Sequence, residues 1–128
     1  MEERIRAEFL EILKRVLSDL HQKKYKNILK YVDTQDDFDL LDFLENDLED
    51  TLEDYGYEAL DEYGTLVDED DKIERIDIYE FNDGTGFSID YFLSADQELT
   101  DLVLQLDFLY TNKSPKGIRC VFRDIDYR

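Results

Sequence analysis

The apolar residues of this chain change their spacing once, near Ile73. Upstream they recur every three or four positions, the repeat of one helix face. Downstream they alternate with polar residues, the repeat of a half-buried strand. Ile5, Phe9, Ile12, Leu13, Val16, Leu17 and Leu20 fall on one stripe and predict a helix over 2–20. Glu2/Arg6, Arg4/Glu8 and Glu11/Arg15 are spaced i,i+4 on its outside. A second short helix is expected at 22–32, with Tyr25, Ile28, Leu29 and Val32 as its apolar side and Lys23, Lys24, Lys26 and Lys30 around it. Asp33-Thr34-Gln35-Asp36 breaks the pattern and offers caps for the next helix. That third helix is expected at 37–55, apolar at Leu41, Leu44, Leu48, Leu52 and Tyr55, with Gly56 ending it. Residues 57–72 read as a short helix around Tyr57, Leu60 and Tyr63, an extended piece at 64–67, and a polar loop, Asp68-Glu69-Asp70-Asp71.

Four strands are expected after the switch. They are Ile73–Phe81, the run Phe87, Ile89, Tyr91, Leu93, then Leu102–Tyr110, and Ile118–Tyr127 with a bulge near Asp124. Asn82-Asp83-Gly84-Thr85-Gly86 is a turn signal, and the loop before the last strand holds Pro115. Helices first and strands last imply an α+β architecture, with N-terminal helices packed on one face of a four-stranded, curved antiparallel sheet. Each half leaves an apolar face that needs the other. The chain 1–128 therefore reads as a single domain, helical over 2–60 and sheet over 73–127.

Charge is distributed as unevenly as the periodicity. The formal charge is −19, yet residues 1–32 hold eight bases against five acids. Residues 33–71 hold eighteen acids and no Lys or Arg. One reading is a solvated helix face and an acidic loop that keep the protein soluble; the other is a function that uses the field, which would explain why the stability cost of self-repulsion is carried. Direct nucleic-acid binding is disfavoured, since phosphates call for a cationic footprint. Anionic membrane surfaces are disfavoured for the same reason. No apolar run approaches the ~20 residues of a membrane span, and the N-terminus MEERIRAEF lacks the apolar centre of a secretory signal. The one cysteine, Cys120, permits no internal disulfide, so a cytoplasmic location is expected.

Reactive chemistry finds little purchase. The single His21 sits at an expected helix end among lysines, and Cys120 lies on an expected strand as a small core residue, so no nucleophile–base pair is expected. One Cys and one His give no zinc spacing. The acidic runs at 33–39 and 68–71 lack the central Gly of a calcium loop. Gly84-Thr85-Gly86 precedes no helix and reads as a turn rather than a phosphate cradle. The expectation is a protein that is not an enzyme and has no catalytic residue, metal or cofactor.

Gly86–Leu106, GFSIDYFLSADQELTDLVLQL, followed by Gly117–Tyr127, GIRCVFRDIDY, resembles a small bacterial family of unknown function. The corresponding pieces are Ile89-Asp90-Tyr91, Asp101-Leu102-Val103-Leu104 and Ile125-Asp126-Tyr127, with Glu62–Leu66 fitting ahead of them. The order of helices and sheet is similar to the cystatin-like cone of nuclear-transport-factor-like domains, and the size and charge are similar to those of immunity proteins. The resemblance implies a binding role without catalytic residues.

The expected function is therefore that of an immunity or inhibitor protein that neutralises a basic toxin such as a nuclease. Asp39, Asp42, Asp47, Glu49, Asp50, Glu53 and Asp54 would carry the field, Asp68, Asp70 and Asp71 would extend it, and Tyr55, Tyr57 and Tyr63 would add contact area. Two other readings are a nucleic-acid mimic that disarms a DNA-binding protein and a small-molecule-binding cone with a pocket between the first helix and the sheet. Exposed strand edges would also allow a homodimer.

Overall fold

The computed structural model describes residues 1–67, 75–112 and 117–127. Its first element is α1 (Glu3–His21), which buries Ile5, Phe9, Leu13, Val16, Leu17 and Leu20. This is the stripe that the spacing predicts, except that Ile12 is only partly buried. A single helical turn, α2 (Tyr25–Ile28), follows, and then a two-residue strand, β1 (Val32–Asp33). The second helix expected at 22–32 is thus shortened. The chain leaves helical geometry so that Val32 and Asp33 can pair in parallel with Cys120 and Val121. Leu29, expected on the apolar side, is exposed as a result.

The next helix is a continuous stretch of three runs, α-helical at Leu40–Asp42, π-helical at Phe43–Leu48 and α-helical again at Glu49–Tyr55; together these are α3. Asp42 and Leu48, where the runs meet, keep right-handed helical angles. The residues it buries are Leu40, Leu44, Leu48 and Leu52, one every fourth position. Four residues overshoot a turn of α-helix by about 40°, so a strict four-residue stripe would wind off the core. A π-turn closes one residue later and takes back part of that drift. Leu40 therefore takes the buried place expected for Leu41, and Tyr55, expected on the stripe, is 47% exposed. Gly56 ends the helix in the left-handed region at φ 77°. No helix follows at 57–67. Leu60 instead bridges to Ala95, and Leu66 is exposed.

The remaining strands are β2 (Ile76–Glu80), β3 (Gly86–Ala95), β4 (Glu98–Tyr110) and β5 (Ile118–Tyr127). They form the expected antiparallel meander, but the sheet has five strands in the order β1-β5-β4-β3-β2. The parallel β1 edge makes it mixed rather than wholly antiparallel. Two adjacent residues carry too little alternation to be read as a strand. The bulge expected near Asp124 lies where Gln105 faces Asp124 and Leu106 faces Phe122, leaving Arg123 as the extra residue. Of the segment Ile73–Phe81, residues 73 and 74 lie outside the described residues.

Helices and sheet share one apolar core. Phe9 of α1 meets Phe87 edge-on at 5.5 Å and Phe108 at 5.7 Å, while Phe43 of α3 lies 5.7 Å from Phe122 of β5. These rings lie between the first helix and the sheet, where the small-molecule-binding reading would need its pocket. Gly86 is needed where it stands, because a Cβ there would run into the Phe108 carbonyl oxygen.

Candidate binding surface: the outer face of helix α3

Helix α3 carries seven acids and no base. Burying its leucines turns the carboxylates outward, and Asp42, Glu45, Asp47, Asp50, Glu53 and Asp54 are all exposed. Asp39 precedes the helix and caps it: the Asp42 backbone N–H donates to its carboxylate at 3.0 Å. Asp42 in turn accepts from the Asn46 side-chain amide at 2.7 Å. Neither bond brings in a positive charge. Asp54 stands in the last turn, where the negative end of the helix dipole disfavours a carboxylate.

Among the described residues, Glu49 is the one acid of α3 in an ion pair. Its carboxylate is 3.1 Å from the Lys23 ammonium and accepts a hydrogen bond from the Tyr25 hydroxyl at 2.5 Å. Burial, followed by this carboxylate, pushes the Tyr25 hydroxyl well above its ordinary range. Lys23, Lys24 and Lys26 share a shallow hollow with Glu45. The basic segment thus flanks α3 on one side. Asp47, Asp50, Glu53 and Asp54 have no ion-pair partner among the described residues and gather negative charge in the C-terminal half of the helix.

Of the residues expected at the site, Asp39, Asp42, Asp47, Asp50, Glu53 and Asp54 lie along or beside this helix and are exposed, and Glu49 is half-buried and paired. Tyr55 and Tyr57 are brought together at its end, with ring centroids 6.0 Å apart and planes 27° from parallel. Tyr63 does not join them. It stacks on buried Tyr91 at 5.8 Å, with the Lys14 ammonium 5.6 Å from its ring centre. Asp68, Asp70 and Asp71 lie outside the described residues.

Tyr127 was missed by sequence reasoning. It approaches Tyr55 at 6.5 Å from the last strand. Its place at the end of an alternating strand was legible, but its neighbour across 72 positions was not. Burial, followed by the carboxylates of Glu98, Asp101 and Asp96, raises the Tyr57 hydroxyl.

The single histidine and the single cysteine sit on other elements. His21 Nδ1 is 2.8 Å from the Leu60 carbonyl oxygen and ties α1 to the segment after α3. Cys120 is buried, and that burial, with Asp33 and Asp107, pushes its thiol up to about 12, which leaves little thiolate. Among the described residues no three His, Cys, Asp or Glu side chains are grouped as a metal site. No described helix is long and apolar enough to cross a membrane.

Residues 17–127 match a family described as a domain of unknown function (DUF7668), and the chain belongs to that family. The comparisons with curated proteins and with solved structures each gave no match.

Proposed function

We propose that this member of the DUF7668 family is a non-enzymatic binding protein that docks α3 on a cationic protein surface, such as the substrate cleft of a bacterial nuclease toxin, and blocks it. The observation that supports the reading is the bare carboxylate face. Asp47, Asp50, Glu53 and Asp54 crowd the second half of one helix, exposed and without a basic partner among the described residues. Four like charges within eight positions repel one another, and a cationic partner relieves that repulsion. Fields of this kind accelerate encounter more than they deepen affinity. In this reading the protein acts in the cytoplasm as an immunity or inhibitor protein.

The test is stopped-flow association with a basic nuclease, with cleavage of DNA as the second readout. Replacing Asp47, Asp50, Glu53 and Asp54 together by Lys is expected to slow association by about ten-fold or more at low salt and to flatten its salt dependence. Unchanged association kinetics in that variant would overturn the choice of face. Competition with DNA for several unrelated basic proteins would instead identify a nucleic-acid mimic.

A further inference from the structure

The C-terminal end of α3 differs from the rest of its outer face in carrying exposed aromatic area. Tyr55 is 47% and Tyr127 56% exposed, and Tyr57 is half-buried beside them. The three rings are not on a loose tail. Left-handed Gly56 turns the chain, and the Tyr57 N–H donates to the Leu52 carbonyl at 2.9 Å. Leu60 bridges to Ala95, and the Asp61 carboxylate accepts from the Ser94 hydroxyl and the Gln97 N–H at 2.8 and 2.9 Å. Tyr127 is held opposite Leu102 in the sheet. The platform is therefore organised before anything binds, which lowers the ordering cost of binding.

We infer that Tyr55, Tyr57 and Tyr127 receive an arginine side chain of the cationic partner. The inference rests on the docking role proposed for α3 and names the anchoring contact within it. A guanidinium is flat and weakly hydrated. It stacks on a tyrosine face while its N–H fork reaches carboxylates, whereas a lysine ammonium is a compact, strongly hydrated point charge. Tyrosine and arginine are also among the side chains enriched at the residues that dominate interfaces, and such residues tend to face one another. Carboxylates border the rings and favour a cation over an apolar side chain: Asp54 precedes Tyr55, and Asp101 precedes Leu102, the residue that pairs with Tyr127.

The test compares two peptides of equal length and charge, nine arginines and nine lysines, titrated against the full chain in 0.3 M salt. The expected result is about three- to ten-fold tighter binding of the arginine peptide. In the Tyr55→Ala/Tyr127→Ala variant the preference should vanish while affinity for the lysine peptide stays. Tyr55→Phe/Tyr127→Phe should restore the preference, since the ring face rather than the hydroxyl does the work. Equal binding of the two peptides, or a preference that survives the double alanine change, would overturn the inference and leave the role of α3 standing. If neither peptide binds at low salt, the docking role itself fails and takes this contact with it.

Discussion

Helices α1 and α3 solve the same packing problem and treat their outer faces in opposite ways. Each buries an apolar stripe against the sheet, through Phe9 in one case and Phe43 in the other. The outer face of α1 mixes four acids with four bases, and Arg4 and Glu8 come within 3.7 Å. That of α3 has seven acids and no base. The comparison separates two demands. The buried stripe is set by the fold and is alike in both helices. The outer face is free to vary, and the imbalance in α3 is what the proposed docking role draws on.

The comparison breaks first in the core if it is mistaken. Phe9→Ala in α1 and Leu48→Ala in α3 should both destabilise strongly, by about 3–5 and about 2–5 kcal/mol, measured by urea unfolding. A negligible loss at Leu48 would mean that α3 is only draped on the surface. Next in size is the charge. Replacing Asp47, Asp50 and Asp54 by Asn should raise stability by a few tenths of a kcal/mol each at low salt, and the gain should disappear at about 1 M salt. Glu8→Gln in α1 should have the opposite sign and be no larger, since it removes an exposed ion pair.

The smallest effect concerns an acid that is hemmed in rather than exposed. One oxygen of Asp107, on β4, is buried without a hydrogen-bond partner, and Arg123 stands 3.8 Å away. Burial raises its carboxyl above the ordinary range, with Arg123 opposing. The folded state then holds this proton more readily than the unfolded one. Its ionisation costs stability at neutral pH, and that cost is recovered as pH falls through the folded carboxyl's range. Asp107→Asn should therefore raise the melting temperature at pH 7, and the difference should shrink on acidification. The exposed α3 acids stand in solvent, so their contribution should follow salt instead.

Much of this was legible in the chain. The α1 stripe, the meander and the bulge near Asp124 all follow from period and turn residues, because local spacing decides them. The acidic face was legible for the same reason. What escaped depended on partners remote in sequence. Val32–Asp33 is a strand only because Cys120–Val121 lie beside it. Tyr63 is a core neighbour because Tyr91 faces it. Tyr127 belongs to the α3 surface because β5 ends there. Leu40 displaced Leu41 for a subtler reason, since the spacing rule assumes an unbroken α-helix and Phe43–Leu48 is not one.

The parallel pairing of β1 with β5 also has a consequence for synthesis. Val32 pairs with Cys120, 88 positions further along the chain. On a ribosome the helical half emerges before that strand, with the leucines of α3 still lacking the sheet. Like charge as dense as that of α3 would hold such unfinished chains apart, whatever it does in the folded protein.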